Sequence, residues 1–165
     1  MKRTRHAGFT LVELLIVVAL IGILAALCAP FLMAAKASAN EASALGSLKA
    51  LNSAQAAFST TCGGGGYSST IPNLISMQYL DQDLALAPKS GFVVALAVGW
   101  GGMMGIPDCG GTQTLTVYYS SATPVTAPMA RRAFASNQSG TIWEDRTGVP
   151  PPEPFTPSAT VSPVQ

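Results

Sequence analysis

The sequence predicts an α+β protein: one long amino-terminal helix whose second half packs on a small antiparallel β-sheet. Three observations carry this expectation. An apolar run of membrane length, Phe9 to Ala29, follows a short basic leader. Apolar residues then recur at near-helical spacing from Phe31 to Thr60, until the run Gly63-Gly64-Gly65-Gly66 ends the pattern. Beyond Gly91 the chain changes to short β-type runs separated by turn residues. The expected segments are a leader at 1–8, an apolar helix at 9–29, and an amphipathic continuation of that helix at 30–61. A head containing the sheet follows at 62–148, then a proline-rich tail at 149–165 that is expected to be extended or disordered.

The leader carries Lys2, Arg3 and Arg5 and ends in Gly8. The apolar run behind it, about 21 residues, makes a helix of roughly 31 Å, enough to cross a bilayer core. Basic residues before the run hold the amino terminus in the cytoplasm and send the head across. Within the run stands one carboxylate, Glu13. A charged side chain at the centre of a membrane helix costs about 2.5–3.5 kcal/mol on insertion scales, and less near its end, so Glu13 calls for a partner.

Three readings of this segment compete. A secretory signal peptide fits the basic residues, but the run is too long and a cut after Ala29 would leave Pro30 first in the product. A plain membrane anchor explains the length and gives Glu13 no role. A signal cut between Gly8 and Phe9, on the cytoplasmic side of the run, uses every feature. The cut creates a cationic α-amino group on Phe9, four residues from Glu13 and on the same helix face.

The stretch GFTLVELLIVVALIGILAALCAP, Gly8 to Pro30, resembles the amino-terminal signature of type IV pilins and type II secretion pseudopilins. The resemblance implies that a prepilin peptidase cleaves after Gly8 and methylates Phe9. It implies that Glu13 serves subunit assembly, and that Pro30, with Gly22, is where the helix bends. The partners it implies are the peptidase, other pilin or pseudopilin subunits in a helical filament, and an inner-membrane assembly platform with its ATPase. The implied location is the inner membrane with the head outside the cytoplasm, then a surface pilus or a periplasmic pseudopilus. The fold it implies is pilin-like. A pilus subunit is the leading reading. A pseudopilin is the alternative, and an unprocessed single-pass membrane protein with a small binding head is a further one.

In the second half of the helix, Leu45, Leu48, Leu51 and Phe58 form the stripe expected to face the head, with Lys36, Asn40, Glu41 and Lys49 at polar positions. The glycine run lacks the Lys-Ser or Lys-Thr that a phosphate loop needs, so it reads as a helix stop. A short helical turn is expected around Leu74 to Tyr79. Strands are expected at Gly91–Val98 and Thr112–Ser120, with a loop from Gly99 to Gly111 between them. Arg132–Ala135 and Thr141–Trp143 flank Ser136–Gly140 as a hairpin, giving a sheet of three or four strands. The stretches NEASALGSLKALNSAQAAF, KSGFVVAL and RRAFASNQSGTIWED resemble a subgroup of pilin-like proteins in this order.

Composition narrows the function. Cleavage after Gly8 removes three of nine basic side chains and His6, the single histidine, leaving six basic against eight acidic groups, or −2. The processed chain offers neither a broad basic field for nucleic acid nor a histidine base, so neither an enzyme nor a nucleic-acid binder is expected. Lys89, Arg131 and Arg132 are too few, and lack interleaved aromatics, to change that. No cofactor is expected. Asp81, Asp83 and Asp108 lack the spaced acidic loop of a calcium site and read as solvated charges. Cys28 lies in the apolar run and reads as a small buried hydrophobe. Cys62 and Cys109 fall in the exported part, where disulfides persist, and are expected to pair; two free thiols or bridges between subunits are the alternative.

Overall fold

The computed structural model describes residues 9–84, 88–125 and 132–164. The leader, including Gly8, lies outside the described residues, as do Arg131 and the end of the tail at Gln165. Two compact units divide at residue 35. One helix, α1 (Leu11–Thr61), contributes residues to both. Pro30 stands inside it, lacking the N–H that would bond the carbonyl of Ala26.

In the first unit the apolar side chains have no cover. Every large apolar residue from Phe9 to Met33 is exposed, Phe9 by 82%. Cys28, expected to be buried, is exposed in the single chain as well. Burial of this stretch therefore has to come from outside the chain.

The second unit begins where α1 turns amphipathic. Its buried stripe is Glu41, Ala44, Ser47, Leu48, Leu51, Ala54, Gln55 and Phe58. Ala44 and Leu48 pack with Phe92, Ala122, Phe134 and Ile142, while Leu51, Ala54 and Phe58 pack with Leu74, Leu80 and Leu84. Leu45, expected in the stripe, sits at its margin, partly buried.

At the end of α1 the expected glycine stop holds. Gly63 N–H donates to Phe58 O at 2.7 Å, and Gly65 N–H to Ser59 O at 2.9 Å. Gly64 and Gly65 adopt φ of 58° and 92°, the left-handed region that a side chain disfavours. The short strand β1 (Tyr67–Ser68) and the helix α2 (Ile71–Ser76) follow. Helix α2 starts earlier than expected because Thr70 caps it, accepting from Asn73 N–H at 3.3 Å, with Pro72 in its first turn.

Among the described residues, seven strands follow β1. They are β2 (Phe92–Val98), β3 (Met104–Pro107), β4 (Gln113–Leu115), β5 (Tyr118–Pro124), β6 (Ala133–Asn137), β7 (Ile142–Asp145) and β8 (Val161–Pro163). They form a five-stranded antiparallel sheet ordered β2-β5-β6-β7-β8 and a three-stranded sheet ordered β1-β4-β3. The expected hairpin is present as β6–β7, with Ser136 opposite Ile142. The expected single sheet of three or four strands is two sheets, of five and three strands, and three local expectations change with it. The single strand at Thr112–Ser120 divides into β4 and β5, which join different sheets. The loop from Gly99 to Gly111 contains β3.

The tail is the third change. Pro151 is fully buried, Phe155 stacks on Trp143, and Val161–Pro163 adds the fifth strand beside β7. A sparse charge pattern and six prolines between Val149 and Val164 give no periodicity to read, so order here comes from distant partners.

Candidate functional site

Thr10 and Glu13 build the amino-terminal site. Thr10 N–H donates to Glu13 Oε2 at 3.1 Å and Thr10 Oγ1 donates to the same oxygen at 2.8 Å. Glu13 N–H donates back to Thr10 Oγ1 at 3.2 Å. This reciprocal pair is a capping box, which satisfies amide groups that the first turn leaves without helical partners. The Thr-x-x-Glu spacing was visible in the sequence, but Glu13 was read there only as a partner for the Phe9 amine. The acid also lies at the positive end of the helix dipole. Phe9 precedes the cap directly, so an amine created on Phe9 lies one residue from the amide that Glu13 already holds.

Behind this cap, α1 is long and apolar enough to cross a membrane. The structure places Phe9, Glu13, Gly22 and Pro30 on or immediately before one helix, whereas Gly8 is outside the described residues. With its apolar side chains exposed all round, the segment offers one chemistry, lateral packing against lipid or against other apolar helices.

Within the head, three devices fix the end of α1 to the sheets. Cys62 and Cys109 form a disulfide with Cα atoms 5.1 Å apart, tying the helix end to the loop between β3 and β4. Gln55, fully buried, donates through Nε2 to Ser68 O at 3.0 Å and accepts Ser68 N–H at 2.8 Å, completing the backbone pairing of β1. Arg132 donates through Nε and Nη2 to Glu41 Oε2 at 2.9 and 2.6 Å, and through Nη1 to Glu144 Oε2 at 2.7 Å. Glu41 hydrogen bonds, with burial acting against them, raise the Arg132 guanidinium pKa. Glu41 was expected at a polar position; the structure buries it against a cation 91 residues away. Arg132, weighed in the sequence as a nucleic-acid contact, has its charge engaged by two carboxylates.

Asp108 is buried and does not stand as a solvated charge. Its Oδ2 accepts from Asn73 Nδ2, and its Oδ1 from the N–H groups of Gly110 and Thr112, each at 2.8 Å. Burial works to raise its carboxyl pKa, but these hydrogen bonds together outweigh it and hold the group below its ordinary value. Among the described residues, no three His, Cys, Asp or Glu side chains gather where they could hold a metal.

Comparison with known proteins bears on the amino-terminal site. Residues 3–29 match the family model described as the prokaryotic N-terminal methylation motif. The chain is 50% identical over 54 residues to the type IV major pilin protein PilA of Myxococcus xanthus (strain DK1622), a match covering 33% of this chain and 24% of that pilin. The chain thus spans about a quarter of the length of the curated relative it matches. No solved structure matches it.

Proposed function

We propose that this chain, which carries the amino-terminal methylation signal of the type IV pilin and pseudopilin family, is a structural subunit of a type IV pilus. The observation that carries the reading is the capped apolar stretch of α1 from Leu11 to Met33, exposed on every side and lying largely within the matched residues 3–29. In this reading a prepilin peptidase cleaves after Gly8 and methylates Phe9. The subunit waits in the inner membrane with its head outside the cytoplasm. An assembly platform driven by an ATPase then draws it into a helical filament with its copies.

The physics supports each step. Methylation of the Phe9 amine keeps its positive charge. Glu13 of an incoming subunit, held at the helix start by Thr10, meets that charge on a neighbour and sets the register. Apolar surface gives about 25 cal/mol per Å² when removed from water, but lipid already shelters these helices. The gain on leaving the membrane is therefore small, and an energy-driven machine is needed. Gly22 and Pro30 supply the positions where the helix yields as subunits pack. The subunit works by assembly and carries out no catalysis.

A deletion strain tests the proposal. Loss of sheared surface fibres with normal release of exoproteins supports the pilus. Retained exoproteins with intact surface fibres would instead identify a pseudopilin. Glu13→Ala tests the intersubunit pairing in the same assay: normal filaments from that variant contradict it.

A further inference from the structure

The head carries a cleft of about 340 Å³ that plays no part in the assembly described above. Three segments distant in sequence build it: Trp100 from the loop after β2, Asn137 and Gln138 at the β6–β7 turn, and Glu153 with Phe155 from the tail. Trp143 of β7 completes the wall.

The walls are held in place. Both oxygens of Glu153 are used as clamps: Oε2 accepts Trp100 N–H at 2.7 Å, and Oε1 accepts from Asn137 Nδ2. Phe155 stacks on Trp143 with ring centroids 5.6 Å apart and planes 18° apart, and its other neighbour is Tyr119. Tyr119 in turn donates its hydroxyl to Pro151 O at 2.8 Å. Burial, reinforced by the Glu153 carboxylate, pushes the Tyr119 hydroxyl pKa up to about 12, so it remains a donor. Against this fixed background Trp100 is 71% exposed, an unusual position for a large aromatic ring.

The lining selects a ligand class. Among the described residues no lysine or arginine contributes to it, which disfavours phosphate and other anions. The Glu153 carboxylate already accepts two hydrogen bonds, which disfavours a bare cation. An extended peptide that adds a strand needs an open sheet edge, but β6 and β7 are each paired on both sides. What remains is aromatic surface beside amide and hydroxyl groups able to donate and accept. A neutral sugar ring matches both, with C–H faces that lie on aromatic rings and equatorial hydroxyls that reach amides. We propose that this cleft is a binding site for a neutral saccharide, with Trp100 as the stacking platform and Gln138 as a polar contact at the rim. The cleft belongs to the head alone, so the proposal stands or falls independently of pilus assembly.

The test uses the full chain purified in a zwitterionic detergent without a sugar headgroup. Tryptophan fluorescence is followed as cellohexaose, chitohexaose or maltohexaose is added, with heparin as a polyanion control. The expected result is a saturable change with at least one neutral oligosaccharide and none with heparin. Trp100→Ala should weaken that binding tenfold or more, read by calorimetry, without moving thermal unfolding, because the ring is exposed. Gln138→Ala should weaken it by a smaller factor. No saturation with any of the three sugars at about 10 mM, a concentration that would reveal even millimolar affinity, overturns the proposal. Binding unaltered by Trp100→Ala, or saturation by heparin in their place, also overturns it.

Discussion

From Leu11 to Met33, helix α1 exposes every large apolar side chain it has, whereas from Ala44 to Phe58 its apolar stripe is buried by the head. Local propensity does not account for the contrast, since both stretches form the same continuous helix. The difference lies in where the partner is encoded. The second stretch finds Phe92, Phe134 and Leu74 within its own chain. The first stretch is exposed on every face and must take its partners from lipid or from other apolar helices. A single helix therefore divides its labour between folding and association.

Cysteine chemistry gives the largest contrast between the two regions. Cys62 and Cys109 close a 47-residue separation in the head, while Cys28 in the apolar stretch is unbridged. Cys62→Ser should destabilise the head by about 4 kcal/mol in the chain-entropy model, measured by denaturant unfolding in detergent. Cys28→Ser should leave that unfolding curve in place.

The same deletion in the two halves sharpens the comparison. Leu51→Ala opens a cavity in the packed stripe and should cost about 3 kcal/mol of head stability. Leu20→Ala should change head unfolding by less than about 0.5 kcal/mol, because its side chain is exposed and belongs to neither core cluster. A large effect of Leu20→Ala on head unfolding would break the division of labour.

Arg132→Ala removes the guanidinium that Glu41 and Glu144 share, while Arg146 stays 3.6 Å from Glu144. Breaking a fully buried pair costs about 3–5 kcal/mol, and the partial exposure of Arg132 reduces this to about 2 kcal/mol in the same unfolding assay.

The smallest expected effect is at Asp108. Its folded-state carboxyl pKa is depressed, so its contribution is fully present above the ordinary carboxylate value of about 4 and is lost as pH falls through the lower folded value. Stability measured across this acid range should fall more gently in Asp108→Asn than in the native chain.

These contrasts also show what the sequence made legible. The helix, its glycine stop, the β6–β7 hairpin and the Cys62–Cys109 pairing all follow from local pattern or from compartment. The burial of Glu41 is not legible in the sequence, which marks it only as a polar position, because its partner Arg132 is far away in the chain. The tail was misread for a related reason. Its prolines carry no helical or strand period, and only the edge of β7, the Trp143 ring and a buried slot for Pro151 give it order. At the amino terminus the capping box was within local reach. It went unread because Glu13 already had an evident role, and one carboxylate can serve both a cap and a neighbouring amine.

The central claim is that the Phe9 segment is cut free and modified as an assembly element. Intact-mass and peptide mass spectrometry of the protein from native membranes or sheared fibres tests it most directly. The account predicts a mature chain that begins at Phe9 and carries one methyl group on its α-amine. A chain that retains residues 1–8, or that begins after Ala29, contradicts it.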